Sequence, residues 1–140
     1  MGLSIYSKKL TIIALGDVVF NGDSTDLNFL TVAANADVTI CDVVVSSFNV
    51  KNKVSILENR GDLTLDGCIF INNTYADDCM TIVYNSGKLN ITGSAFYDNI
   101  AEHYIIQCDS GLVINESTST SLVIVTPLMR ESTCKVSCGC

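Results

Sequence analysis

Three sets of residues in this chain have types and spacings that could do chemistry: Asp77-Asp78, His103 and seven cysteines. Adjacent carboxylates suit general acid and base work on a glycosidic bond, one protonating the leaving oxygen while the other activates water. His103 is the only histidine; it sits in Ala101-Glu102-His103-Tyr104 at the entry to a strand-like run, with no Ser or Cys nucleophile motif around it. Arg60, beside Gly61, and Arg130, near the end, are the arginines a lyase would use to take a proton beside a calcium site, but neither stands in an acidic cage. These residues read as solvated turn and strand-edge positions, no catalytic residue is assigned, and the expectation is that the chain is not an enzyme.

Cys41, Cys68, Cys79 and Cys108 lie in the body of the chain, where buried thiols act as small apolar side chains. Cys134, Cys138 and Cys140 close it with the spacing C-x3-C-x-C. Three thiolates could contribute to a zinc site, but the C-x2-C knuckle and a matching second pair are missing. This end is therefore a candidate disulfide or thiol cluster, with no metal or cofactor expected. An odd total leaves at least one thiol over or linked between chains. Asn72, Asn90 and Asn115 open Asn-x-Ser/Thr sequons and are candidate N-glycosylation sites in an extracellular setting.

Charge narrows the partners. Eight Lys and Arg against 15 Asp and Glu give a net charge of −7, the opposite of a nucleic-acid surface. Lys8-Lys9 is the main basic cluster, with Lys51 and Lys53 a weaker pair. No apolar run reaches the length of a membrane-spanning helix. Lys8-Lys9 followed by Leu10 to Leu15 imitates a signal peptide, but Gly16-Asp17 cuts the run short, and a first strand pair is the better reading.

The elements that must position these residues come from an internal repeat. Asn59 to Asn73, NRGDLTLDGCIFINN, and Asn85 to Asn99, NSGKLNITGSAFYDN, share the frame N-x-G-x-L-x-(L/I)-x-G-x-x-F-x-x-N at an offset of 26 residues (85 − 59). A third copy opens at Asp109-Ser110-Gly111, and weaker ones lie upstream at Asn35 with Val38-Thr39-Ile40 and at Leu10-Thr11-Ile12. Each copy holds an alternating triplet such as Leu63-Thr64-Leu65, and a second run before the Asn-x-Gly turn, such as Val54-Ser55-Ile56-Leu57. Period-two alternation marks half-buried strands, and no window keeps a helical stripe.

One such unit cannot bury its own apolar side chains, so neighbouring copies must cover them. The expected fold is all-β, a right-handed single-stranded parallel β-helix of about five coils; a β-sandwich, the alternative, needs no residue-level repeat. Strands are predicted near 10–13, 27–32, 38–45, 54–57, 63–65, 80–84, 89–91, 104–108, 112–114 and 122–125. Leu63 should stack on Leu89 and Phe70 on Phe96. Asn59, Asn85 and Asp109 should fall in register, where side-chain amides can form a ladder, and Gly61, Gly87 and Gly111 should occupy turns with φ above zero. Outward triplet positions carry Thr11, Thr39, Thr64 and Asn90, and Tyr75, Tyr84, Tyr97 and Tyr104 would stack on sugars if they reach one surface. The solenoid should span 1–126, with Pro127 opening a Cys-containing tail over 127–140.

The repeat frame, with its Phe-x-x-Asn endings at Phe70–Asn73 and Phe96–Asn99, resembles the repeats of chlamydial polymorphic membrane proteins and, more closely, adhesin-like surface proteins of methanogenic archaea. Those families often place Gly-Gly-Ala ahead of the Asn turn, where this chain has Met80-Thr81-Ile82-Val83. The resemblance implies a right-handed parallel β-helix displayed at a cell surface, with adhesion as its usual assignment. Polysaccharide hydrolases of similar fold also carry a Gly-His-Gly and a downstream basic motif, and neither occurs here. The function expected is a non-catalytic extracellular or cell-surface module, adhesin-like or structural. Its partner would be a surface protein or glycan, with end-to-end or edge association into homo-oligomers. A carbohydrate-binding or polysaccharide-degrading protein and a filament subunit are the alternatives.

Overall fold

The computed structural model describes residues 2–23, 28–51, 55–75, 82–100, 106–108 and 112–115. All regular structure among them is β. In chain order the strands are β1 (Leu3–Ile5), β2 (Lys9–Asn21), β3 (Leu30–Val32), β4 (Asp37–Ser46), β5 (Asn49–Val50), β6 (Leu57–Asn59) and β7 (Asp62–Asp66). There follow β8 (Ile69–Ile71), β9 (Thr74–Tyr75), β10 (Val83–Asn85), β11 (Lys88–Thr92), β12 (Ala95–Tyr97), β13 (Ile106–Cys108) and β14 (Leu112–Asn115).

Every pairing among the described strands is parallel and joins one coil to the next. One sheet runs β1-β3-β6-β10-β13; a second runs β12-β8-β4-β7-β11-β14, with β2 alongside β4; β5 and β9 make a short third. This is a parallel β-solenoid. Three full turns, β3–β5, β6–β9 and β10–β12, form its body, and β1–β2 and β13–β14 extend the sheets on either side.

The repeat offset becomes strand register. Leu63 pairs with Leu89 and Leu65 with Ile91, and Val38, Ile40 and Leu112 continue the rows. Leu63, Leu65, Leu89 and Ile91 are all buried, because alternation sends every second side chain inward and the neighbouring coil covers it. Phe70 and Phe96 stack with ring centroids 4.7 Å apart and planes 7° from parallel. The same row holds Phe20 and Val45, and a second aromatic group, Phe20, Phe29 and Phe48, fills the interior toward the amino end.

Asn59 and Asn85 form the expected ladder, with Asn59 Nδ2 donating to Asn85 Oδ1 at 2.6 Å. Both are the last residues of strands, not turn residues: the described strands are Leu57–Asn59 and Val83–Asn85, which overlap the runs expected at 54–57 and 80–84, and residues 54, 80 and 81 lie outside the described residues. Asn35 does not join. The register partner of Asn59 in the previous coil is Val32, and Asn35 is exposed in the turn beyond it. A second pair, unexpected as a ladder, is Asn73 and Asn99. Asn73 Nδ2 donates to Asn99 Oδ1 at 3.0 Å and to the Val45 carbonyl at 2.9 Å, while Asn99 Nδ2 donates to the Phe70 carbonyl at 2.8 Å. Each of these amides fastens its own coil to the backbone of the coil before it.

The expectation of positive φ at Gly61 and Gly87 is corrected. Neither has the left-handed backbone. Their need for glycine is steric: a Cβ on Gly61 would come within 3.0 Å of the carbonyl oxygens of Ala33 and Ala36, and one on Gly87 would meet the Gly61 oxygen and, at 2.6 Å, the Arg60 carbonyl carbon. Left-handed residues sit at two other corners. Asp42, Gly67 and Gly93 (φ 59°, 65° and 54°) follow the aligned row Cys41, Asp66 and Thr92. Ser47, Asn72 and Asp98 (φ 60°, 56° and 53°) follow Ser46, Ile71 and Tyr97. Gly, Asn and Asp tolerate this region best, which explains the residue choice at all of these corners but Ser47.

The amino-terminal coil departs from the pattern. Between Ile13 and Val18 the register of β2 against β4 shifts, so four residues, Ala14 to Asp17, oppose Asp42 alone, and Leu15 is 93% exposed. Among the described strands β2 pairs only with β4. Its inward side chains are therefore half covered: Leu10 is 38% exposed where Val38, Leu63 and Leu89 in the same row are buried. The segment imitating a signal peptide is a strand of the solenoid. The strand expected at 122–125, the third ladder residue Asp109, Gly111, and the 127–140 tail lie outside the described residues.

Candidate binding face

The solenoid turns one side chain in two outward, and stacking sets those in rows. On the second sheet Thr11, Thr39, Thr64 and Asn90 align as expected, followed by Val113. On the first sheet the outward row is Ser4, Thr31, Glu58, Tyr84 and Gln107, one residue per coil. Neighbouring parallel strands are about 4.8 Å apart, so the row is a linear array along the solenoid axis.

Next to that row lies a group of charged and phenolic side chains. Arg60 follows β6 and folds back on Glu58: Nε and Nη2 both donate to Glu58 Oε1, at 3.0 and 2.6 Å. The guanidinium is open to water, with its side chain 59% exposed, while the Glu58 side chain is only 14% exposed. The hydrogen bond and the charge of Glu58 raise the Arg60 pKa above its ordinary value, and Tyr84 and Tyr6 act in the same direction. Tyr84 is paired with Glu58 across β6 and β10. Tyr6 ends the β1 segment, two strands to the other side, and is 67% exposed. Two phenols thus flank an ion pair on a paired sheet.

Of the four tyrosines considered for sugar stacking, Tyr84 belongs to this group, and Tyr97 lies outward on β12 of the second sheet. Tyr104 and the Tyr75 side chain lie outside the described residues. Tyr6 and Glu58 were not singled out from sequence. Neither falls on the repeat frame, and only the register of β1, β3 and β6 brings Tyr6 toward Arg60.

The other sequence candidates are scattered. Asn72 is exposed in its left-handed corner, and Asn90 is half-buried on the outer face of β11. Asn115 ends β14, with its side chain outside the described set. Cys41 and Cys68 carry free thiols. Cys68 is buried and directs its Sγ at the Ile40 carbonyl at 3.3 Å. Burial is the main cause that pushes its pKa up to about 11. Partial burial, then the charges of Asp66 and Asp42, raise that of Cys41. Asp77, Asp78, Cys79, His103, Arg130 and the Cys134, Cys138 and Cys140 cluster lie outside the described residues, as does the Cys108 side chain. Among the described residues no group of three His, Cys, Asp or Glu side chains could hold a metal ion, and no helix is long and apolar enough to cross a membrane.

Comparison of the chain with protein-family models, with curated proteins and with solved structures finds no match in any of the three.

Proposed function

We propose that this chain is a non-catalytic β-helix module of an extracellular or cell-surface protein, adhesin-like or structural, that works by presenting its outer face to a partner. The observation that carries this reading is the in-register outward row of the first sheet, Ser4, Thr31, Glu58, Tyr84 and Gln107, set beside exposed Arg60 and Tyr6. Such a row is an extended contact surface that grows with each added coil, which is how solenoids recognise partners. The buried asparagines, by contrast, are engaged in coil-to-coil bonds. We read the solenoid as right-handed, in keeping with the strong bias of parallel crossovers. We count about five coils, with β1–β2 and β13–β14 as the outer two.

The alternative of a polysaccharide-degrading protein is tested by turnover. Incubation with polygalacturonate and related glycans, with and without calcium, is expected to release no new reducing ends or unsaturated products. Products abolished by Asp77→Ala or Asp78→Ala would replace the reading with an enzyme. A filament role has its own support in the apolar edge of β2, where Ile13 is 57%, Leu15 93% and Val19 54% exposed.

A further inference from the structure

We propose that the patch formed by Tyr6, Glu58, Arg60 and Tyr84 binds a neutral glycan chain of β-linked pyranoses lying along the solenoid axis. This inference rests on the reading of the chain as a surface-presenting module and names the class of its partner.

Pyranose rings with equatorial hydroxyls present two kinds of surface, and the patch has a counterpart for each. Their flat C–H faces are apolar and lie well on aromatic rings, which Tyr supplies together with a polar tip. Tyr6 is two-thirds exposed, so most of its ring is unclaimed by the fold. The hydroxyl rim of a sugar needs donors and acceptors held in fixed directions. Both Arg60 bonds land on Oε1 of Glu58, which fixes the carboxylate and leaves Oε2 to accept from a hydroxyl. The guanidinium has further N–H groups to donate. Thr31 and Gln107, in the same row as Glu58 and Tyr84, extend the polar line over neighbouring coils. A linear ligand along the axis therefore meets a similar step from one strand to the next.

Charge and backbone pairing choose the class. Arg60 is already neutralised by Glu58, and the chain carries −7 overall, so a polyanionic glycan is repelled. An extended peptide is usually captured by adding a strand to an open sheet edge. Here β6 lies between β3 and β10, and β10 between β6 and β13, so their backbones are paired on both sides. Recognition must use side chains on the face.

The test is titration calorimetry of the full chain with cellohexaose, chitohexaose and mannohexaose, with polygalacturonate as the charged comparison and a reducing-end assay on every mixture. Binding of at least one neutral hexaose in the micromolar to millimolar range is expected, weakened about tenfold or more by Tyr6→Ala and by Arg60→Ala. Tyr6 is exposed just past the end of β1, so its variant keeps the fold, checked by the thermal midpoint; Tyr84→Phe serves as a second, conservative variant. No binding to any neutral hexaose, or binding unchanged in both alanine variants, overturns the inference and leaves the non-catalytic reading standing. Preference for polygalacturonate also overturns it. Release of reducing ends overturns the underlying reading instead.

Discussion

Asn59 Nδ2 lies 2.6 Å from Asn85 Oδ1, one coil further along the stack, and both side chains are fully buried. The same Nδ2 also reaches the Lys88 carbonyl at 2.8 Å, so one amide ties two coils by side chain and by backbone. Removing one partner leaves buried polar atoms short of bonds, which costs more than the net value of the bond itself.

Asn85→Ala is therefore expected to destabilise the chain by about 1–3 kcal/mol, read as a fall in the urea midpoint. The double change Asn59→Val with Asn85→Val should cost less than the sum of the single changes, since it removes both polar groups together. Val32 already occupies the same register row one coil back. Strict additivity in the cycle would show that the two amides do not act as a pair.

The aromatic stack makes a separate prediction. Phe96→Ala should cost about 3–5 kcal/mol, as for other large-to-small changes in a packed core. Phe96→Leu should cost much less, because Val45 shows that an aliphatic side chain fits this row. Equal losses for Ala and Leu, measured by urea unfolding, would place the value of the site in ring stacking rather than in volume.

Two glycines should respond differently to substitution. Gly87→Asn brings its Cβ against the Gly61 oxygen and the Arg60 carbonyl, so a loss on the order of 2 kcal/mol or more is expected. Gly67→Asn faces chiefly the Asp42 side chain, which can move aside, and Asn tolerates φ 65°. Thermal midpoints should rank Gly67→Asn well above Gly87→Asn. The reverse order would restore a left-handed role for Gly87.

Cys68 sets a pH dependence. Its folded pKa, about 11, lies above the ordinary thiol value of 9.0, because burial disfavours the thiolate. The unfolded chain thus loses this proton first as pH rises. The stabilisation is intact below pH 9 and declines between about 9 and 11, by at most about 1.4 kcal/mol per pH unit. Cys68→Ala should be less stable at neutral pH yet lose less between pH 9 and 11. In native buffer Cys68 should react with a thiol reagent far more slowly than the half-exposed Cys41.

The edge of β2 left unpaired among the described strands predicts association. Light scattering should show assembly that grows with concentration, and Leu15→Lys with Ile13→Lys should suppress it, since edge charges block strand addition. Scattering unchanged by the double variant would locate any association elsewhere.

Composition and repeat period determined much of this protein before any coordinates. The offset of 26 residues between Asn59 and Asn85 fixed which side chains share a row, because a parallel stack repeats one register from coil to coil. That is why the Leu63–Leu89, Phe70–Phe96 and Asn59–Asn85 relationships were legible. Short strands such as β8 and β12 were not, since three residues beside a left-handed corner carry too little periodicity to stand out. Gly61 and Gly87 were correctly marked as glycine positions but for the wrong cause: closeness of the backbone in the adjacent coil is a distance between remote segments, invisible in local sequence. The same holds for the patch. Tyr6 and Arg60 are far apart along the chain, Tyr6 outside the repeat frame and Arg60 at a variable position of it, and only the side-by-side packing of β1, β3 and β6 brings them to one region.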